Sequence, residues 1–428
     1  MNNFRLFLKR SLMLMLMLMV ISPSSAVADA VDYRQFVASV FERHPLVLEQ
    51  VAKAKEKQAG IAGARSKRLP SIKVGGIYNS QTKESAELSM RMPIYTFGRI
   101  SNEIDLRGEE YRLETLRLLK VQNDVVADAT ELFLNYVYDS QKFGVLDRNY
   151  RELDQLLERI KRRRQSGYDS VADVNSAKSR VLQAKARADR QAIALRSMLS
   201  EISILYGSAV ADILPPPQDF FSIEDPGEFS ALIMEQNPDI VLAEQQSVIA
   251  DRQVRLVKLN NRPNIDLYGS EDLNNPFKDG GTIGIQMNYE LEGLGYSVAA
   301  NIESAKFRKE SAIQSKANVI QETSMKFMRT LNELGAVAQQ LQEQKAILNS
   351  LRDTKKSFTR QYEAGRKSLM EVLNIYNELA DAEQLLLDHQ RRKIGYEVSL
   401  YQLSGAIYLA ALTDSLPDQI SLLQSEAE

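Results

Sequence analysis

The sequence GRKSLMEV at 365–372 repeats, 198 residues further along the chain, the pattern of GYDSVADV at 167–174. Each stretch opens on a glycine that has a helical pattern on either side. Such a glycine is typical of a helix end, because it adopts a left-handed backbone conformation without steric cost. The two stretches therefore predict two long helical hairpins, which reverse direction at Gly167 and Gly365.

The rest of the chain also repeats in the same order, which indicates an internal duplication. The matched pairs are His44-Pro45 with Asn237-Pro238, Leu69-Pro70 with Arg262-Pro263, and Phe97-Gly98 with Leu294-Gly295. Between the halves, Pro215-Pro216-Pro217 and Asp225-Pro226-Gly227 are loop signals. We predict a first structural repeat over 29–206, a linker over 207–228, a second structural repeat over 229–410 and a C-terminal tail over 411–428.

Apolar residues recur every seven positions through the later part of each repeat. One column of the first repeat is Leu118, Val125, Leu132, Leu146, Leu153 and Ile160, broken only at Asp139, and a second is Ala129, Tyr136, Phe143, Tyr150 and Leu157. The second repeat has Ile320, Phe327, Leu334, Leu341 and Leu348, which correspond to this second column at the offset of 198. A sustained spacing of seven predicts coiled-coil packing of long helices. We expect helix pairs over about 98–206 and about 295–406, and the helix from Ile100 to Gly167 is expected to be roughly 100 Å long.

The first residues predict export from the cytoplasm. Arg5, Lys9 and Arg10 precede the apolar run 12–21, and Ala26-Val27-Ala28 follows. This order of a basic region, a short apolar run and small residues is that of a cleaved signal peptide over 1–28. An uncleaved signal anchor is the alternative, although a run of about ten apolar residues is too short to span a bilayer as a helix.

Alternating patterns predict a β-hairpin in each repeat, over about 71–95 and about 264–291. In the second repeat, Ile283, Ile285, Met287 and Tyr289 alternate with polar residues or glycine. A period of two over about 9–11 residues has the length of a tilted bilayer-spanning strand. A soluble hairpin with one wet face would also explain each pattern alone, but two isolated hairpins leave strand edges unpaired, which favours a closed barrel.

Composition excludes several function classes. The chain has 428 residues with a formal net charge of −2, no cysteine and two histidines, His44 and His389. The absence of cysteine excludes disulfides, thiolate metal sites and a lipid-modified cysteine, and the balanced charge makes nucleic acid a poor partner. The sequence has no Walker A motif, and Gly293-Leu294-Gly295 lacks the rest of a dinucleotide fingerprint. We therefore expect no enzyme activity, cofactor or metal site.

Together these features resemble the TolC family of outer-membrane efflux proteins. The resemblance covers about 32–410, and it is most specific in YEAGRKSLMEVLN at 362–374 and in PIYTFGR at 93–99. It implies a mainly α fold with a small transmembrane β part, in which a homotrimer builds one shared β-barrel from four strands per chain. The implied function is a passive outer-membrane channel for efflux or type I secretion, with its helices in the periplasm.

The resemblance also implies a periplasmic gate at the helical tips. Tyr362 matches the gate tyrosine of the family. Lys367 occupies the place of a common arginine and would reach Asp173 or the backbone near Ala172 on the neighbouring tip. Glu371 and Asn374 occupy the positions of two acidic rings in the best-known member. A ring of Glu371 would favour cations, whereas Asn374 carries no charge and leaves a second acidic ring open.

The glycine turns match the places where adaptor proteins dock in relatives, which implies docking at Gly167, Ser170, Gly365 and Ser368. The implied partners are a periplasmic adaptor, an inner-membrane ABC exporter or proton-driven pump, and outer-membrane lipid. The basic run 159–164 lies just before the first turn. It is either a solvated helix end or a contact with an adaptor or with the inner-leaflet side of the periplasm.

The junction at Tyr95–Arg99 is most similar to adhesin- and toxin-exporting members such as the LapE/AggA-like group. Two readings of another class stay open. One is a periplasmic coiled-coil adaptor or scaffold protein without a pore, and the other is a soluble helical structural protein with two repeats.

Overall fold

A computed structural model of the chain describes residues 30–79, 83–215, 221, 223, 226–272, 281–290 and 292–412. The predicted signal peptide, 1–28, and almost all of the predicted C-terminal tail, 411–428, lie outside the described residues.

Helices make up most of the described chain. They are α1 (Tyr33–Arg43), α2 (Pro45–Ser66), α3 (Arg99–Gln165), α4 (Val171–Tyr206), α5 (Pro226–Gln236), α6 (Pro238–Asn260), α7 (Tyr296–Glu363), α8 (Leu369–Ser404) and α9 (Ile407–Leu412). The two longest helices, α3 and α7, have 67 and 68 residues, and each is followed by a return helix of 36 residues. None of the helices in the described ranges combines the length and the apolar character that crossing a membrane requires.

The strands form two sheets. β1 (Ala30–Val31) pairs in parallel with β4 (Asp212–Ile213), whereas β2 (Ser71–Asn79), β3 (Lys83–Tyr95), β5 (Asn264–Asp272) and β6 (Thr282–Asn288) form an antiparallel sheet in the order β2-β3-β5-β6. Pairing of β3 with β5 therefore joins the two hairpins into one sheet.

The cross-strand register places apolar side chains on one face of this sheet. Ile72 lies opposite Met90, and Leu267 lies opposite both Met92 and Ile285. The exposed fractions of Ile72 and Ile285 are 71% and 73%. The opposite face carries polar residues such as Ser89, Tyr268 and Gln286. An apolar face of this kind, open to the surroundings, requires an apolar partner outside the chain.

The chain divides into two compact units. Of the residues that the structure describes, the tip unit contains those in 30–39, 132–215 and 347–387, and the sheet unit contains those in 40–131, 221–346 and 388–412. In the tip unit, the buried ring of Phe133 on α3 packs edge-on against Tyr33, with the ring centroids 5.3 Å apart. In the same unit, Ser39 Oγ donates a hydrogen bond of 2.9 Å to the carbonyl oxygen of Tyr206.

In the sheet unit, α3 contacts the shorter helices of both repeats. Gln50 on α2 and Gln245 on α6 are both buried, and their side-chain amides donate to the carboxylates of Glu114 and Glu109 at 2.7 and 2.9 Å. The packing of Leu113 on Leu242 and its neighbours adds an apolar contact between α3 and α6. Because buried amides must be hydrogen-bonded, these pairs fix the position of α3 along α2 and α6.

Two details differ from the sequence expectations. The predicted linker contains β4, and α5 already begins at Pro226, where a proline at the first helical position has the required φ angle. The second hairpin, expected to reach 291, ends its strand at Asn288.

His44 and Asn237 cap α2 and α6, and a proline follows each of them. His44 thus has a structural role, since its Nδ1 accepts the backbone N–H of Leu46 at 3.3 Å.

Candidate functional site at the helical tips

Both long helical hairpins reverse through the same backbone turn. At the end of α3, the N–H of Gly167 donates to the carbonyl of Arg164 and the N–H of Tyr168 donates to that of Arg163, both at 2.9 Å. The turn at Gly365 repeats this pair of bonds at 2.9 and 2.8 Å. Gly167 and Gly365 have φ angles of +82° and +72°. This is the Schellman motif, which satisfies the last carbonyl groups of a helix.

The return helices also begin alike. Ser170 Oγ accepts the N–H of Asp173 at 3.1 Å, while the Asp173 carboxylate accepts the N–H of Ser170 at 2.9 Å. Ser368 and Glu371 form the equivalent pair at 3.4 and 3.1 Å. These capping boxes satisfy the first N–H groups of α4 and α8. Four residues that the sequence assigned to docking or gating therefore also start the helices.

An apolar core lies behind the tips and joins α3, α4, α7 and α8. Its members include Leu153 and Ile160 on α3, Ala177 on α4, Tyr362 on α7 and Val372 on α8. Apart from Tyr362, these residues have no exposed surface. Two of them, Leu153 and Ile160, belong to the predicted heptad column, which accounts for their inward position.

Tyr362, a member of this core, contacts a buried acid of the other tip. Tyr362 Oη donates to Asp169 Oδ2 at 2.8 Å, and Arg163 Nε donates to the same oxygen at 3.0 Å. The Asp169 side chain is only 7% exposed. The Arg163 guanidinium lies 4.8 Å from the centroid of the Tyr362 ring, within the range of a cation–π contact. Arg163, Asp169 and Tyr362 are called the tyrosine cluster below.

The tyrosine cluster keeps the Tyr362 hydroxyl protonated. Burial raises the pKa of Tyr362, and the hydrogen bond to Asp169 raises this pKa further. The hydrogen bond to Asp169 also raises the pKa of Arg163. The cluster thus holds a neutral donor and a cation on one carboxylate, which ties the end of α7 to the turn between α3 and α4.

Lys367 lies on the second tip and pairs with Glu371 on its own hairpin. Its ammonium lies 4.2 Å from the centroid of the Phe358 ring. Hydrogen bonds from Lys367, and then from Ser368, lower the pKa of Glu371 to about 2. Within the chain, Lys367 therefore contacts Glu371 and not Asp173, the expected partner. The Asp173 carboxylate instead accepts the N–H of Ser170 in the capping box of α4. The reason is geometric: Glu371 is four residues from Lys367 and its carboxylate is already fixed by Ser368.

Asn374, one turn further along α8, contacts α4. Its Oδ1 accepts a hydrogen bond of 3.4 Å from Arg180 Nη2. One heptad further on, Arg187 Nη1 pairs with Asp381 Oδ1 at 3.0 Å. The structure thus places Tyr362, Lys367, Glu371 and Asn374 in the same tip region, with Asn374 beside a cation.

Two residues of the tip were missed by the sequence reasoning. Arg163 lies in the basic run 159–164, for which one interpretation was a solvated helix end. Asp169 lies two residues after the turn glycine, Gly167. The duplication offered a signal, because Asp169 matches Lys367 in the second repeat with the opposite charge. The capping boxes were readable from the spacing of Ser170 with Asp173 and of Ser368 with Glu371.

In the described part of the chain, no group of acidic or histidine side chains is arranged to hold a metal ion. The arrangement at the tips can instead join and separate helices, because it consists of hydrogen bonds and ion pairs between adjacent hairpins.

Solved structures of membrane proteins share this architecture. A membrane protein from Pseudomonas aeruginosa is similar with a TM-score of 0.77 and 19% identity, over 87% of this chain and 90% of that chain. The outer membrane protein VceC from Vibrio cholerae is similar with a TM-score of 0.74 and 13% identity, over 87% of this chain and 96% of that chain.

The chain belongs to the family of outer membrane efflux proteins, whose family model matches residues 37–198 and 230–406. The solvent efflux pump outer membrane protein SrpC from Pseudomonas putida is 24% identical over 323 residues, which cover 72% of this chain and 68% of SrpC. The resemblance to TolC-family efflux channels and the mainly α fold with a small β part are both confirmed.

Proposed function

We propose that this chain forms the outer-membrane end of a periplasm-spanning pump complex and conducts cargo passively. The observation that carries the proposal is the exposed apolar face of the sheet in a chain whose helices end in two tied tips. In a homotrimer, the strands of three chains would close into one β-barrel, so that β2 and β6 would no longer be open edges. Lipid would then cover the apolar face.

Planar-bilayer recording of the purified full-length chain tests this proposal. We expect stepwise conductance, and we expect the protein to sediment with outer-membrane porins in a sucrose gradient. A periplasmic adaptor or scaffold would remain in the soluble periplasmic fraction and would not conduct. That result would overturn the channel.

We propose further that the tips close the periplasmic end of this channel. The tyrosine cluster supports the proposal, because it joins both hairpins of one chain at their ends. Asp173, Lys367, Glu371 and Asn374 remain proposed gate residues, with Lys367 and Asp173 reaching one another between neighbouring chains. The double variant Lys367→Ala/Asp173→Ala should then raise conductance and antibiotic uptake, and wild-type conductance in that variant would remove this pair from the gate.

The adaptor is proposed to dock at the exposed turns around Gly167 and Gly365, including Ser170 and Ser368. These turns place backbone and hydroxyl groups at the ends of both hairpins. A matching inner-membrane pump, either an ABC exporter or a proton-driven pump, would supply the energy. Crosslinking from a cysteine introduced at Tyr168, which is 77% exposed, should capture the adaptor in intact cells.

Two cargo classes follow from different observations. The name of SrpC, a solvent efflux pump protein, supports small-molecule efflux. The junction at Tyr95–Arg99 supports type I secretion of an adhesin or toxin. Deletion of the chain should raise intracellular solvent or drug accumulation in the first case, and it should remove a large protein from the culture medium in the second.

A further inference from the structure

A charged seam runs between α4 and α8 from the tips. Asp173, Arg180 and Arg187 are spaced by seven along α4, and Lys367, Asn374 and Asp381 stand 194 residues after them in the second repeat. By position the pairs are Asp173 with Lys367, Arg180 with Asn374, and Arg187 with Asp381. Arg180 contacts Asn374 directly, and Arg187 contacts Asp381 directly.

The three levels of this seam differ in their charge balance. At the third level, Arg187 is neutralised by Asp381 at 3.0 Å. At the first level, Lys367 lies in the turn before α8 and pairs with Glu371 on that helix, so this pair carries no net charge. Each cation of the seam other than Arg180 therefore has a carboxylate partner.

The second level is the exception. Arg180 faces the amide of Asn374, which accepts a hydrogen bond but carries no charge. Among the described residues, no carboxylate forms an ion pair with Arg180. The neighbouring positions along α4, Ser176 and Ala184, offer no acid either. At the level of Asn374, Arg180 thus has no direct carboxylate partner among the described residues.

We propose that Arg180 sets the charge preference of the aperture and favours anionic permeants. This inference rests on the proposed function, in which Asn374 faces an opening shared by the subunits. A guanidinium from each subunit would then surround the opening, and rings of like charge at a narrow passage select ions of the opposite sign. The selectivity expected from Glu371 alone is thereby reversed, since Lys367 pairs with Glu371 whereas no described carboxylate forms an ion pair with Arg180.

Reversal potentials across a planar bilayer with a KCl gradient test the inference. Arg180→Gln should lower the chloride-to-potassium permeability ratio by roughly two- to fivefold, the size expected of one partly exposed charge. Asn374→Asp should shift the ratio in the same direction, because it adds the missing acid. Arg180→Lys keeps the charge and should keep the wild-type ratio.

Lys178→Gln is the matched control. It removes the same charge from the same helix, but Lys178 lies two residues away and so on another helix face. An unchanged ratio in both Arg180→Gln and Asn374→Asp overturns the inference, and so does an equal shift in Lys178→Gln.

Should Arg180→Gln fail to assemble, Asn374→Asp and Arg180→Lys still decide the matter. Absence of conductance in the wild type and in Tyr362→Phe would overturn the proposed function itself, and the inference with it. That result differs from a conducting channel with an unchanged ratio.

Discussion

Asp169 receives donors from two different helices, and this makes it the decisive residue of the tips. Removing its carboxylate in Asp169→Ala leaves the Tyr362 hydroxyl, on a side chain only 6% exposed, without its acceptor. A buried donor without a partner costs about 1–3 kcal/mol. We therefore expect a lower thermal midpoint and, if the tips close the channel, a larger bilayer conductance.

Asp189→Ala is the control for this prediction, because it removes the same charge from an exposed position on α4. It should leave both readouts at wild-type values. Wild-type conductance combined with a lowered thermal midpoint in Asp169→Ala would reduce the tyrosine cluster to a structural role.

Glu371 gives a prediction for pH. Its pKa is lowered from 4.5 to about 2 by Lys367 and Ser368, so the folded state favours the ionised form. The stabilisation from Glu371 is thus complete above pH 4.5 and is lost only as the pH falls towards 2. The difference in thermal midpoint between the wild type and Glu371→Gln should persist at pH 4 and vanish near pH 2. A difference that has already disappeared at pH 4 would contradict the pairing with Lys367.

At the scale of the elements, substitutions of glycine distinguish the cost of backbone strain from the cost of a packing clash. A Cβ at Gly167 would meet nothing within 4 Å, but the φ angle is +82°. Gly167→Ala should therefore lower the free energy of unfolding by about 1–2 kcal/mol through conformation alone.

Gly60, within α2, also has open space around it, at an ordinary helical φ angle. Gly60→Ala should raise the free energy of unfolding by about 0.5–1 kcal/mol. Denaturant unfolding of both variants checks the pair, and equal effects would contradict the strain.

The elements show which features a single sequence can predict. The spacing of seven and the spacing of two are local, so the long helices and the alternating strands follow from the residues themselves. The contact between Asp169 and Tyr362 joins residues 193 positions apart, and nothing local in either segment specifies it. The family resemblance implied Asp173 as a partner of Lys367, whereas the nearer Glu371 forms the bond within the chain.

At the scale of the whole molecule, the duplication preserves backbone geometry while the charges diverge. Both tips have the same turn and the same capping box, yet Asp169 in one repeat corresponds to Lys367 in the other. Backbone motifs depend on glycine and serine, so charged positions between them are free to change. This divergence lets one tip offer a carboxylate and the other a cation, which two identical tips could not do.

The apolar face of the sheet leads to a prediction about insertion of the whole molecule into the membrane. Ile285 is central in β6 and 73% exposed on the apolar face, and Gln286 next to it lies on the opposite face. Placing a lysine on a lipid-facing strand costs about 2–4 kcal/mol at the bilayer midplane, whereas a residue that faces a water-filled interior carries no such cost. Ile285→Lys should therefore reduce the protein recovered in the outer membrane by at least about tenfold. Gln286→Lys, with the same side chain one residue away, should insert at wild-type levels. The measurement is the amount of protein in washed outer-membrane fractions at equal expression. Equal loss in both variants would mean that the apolar face does not meet lipid, since only a lipid-facing strand distinguishes neighbouring positions in this way.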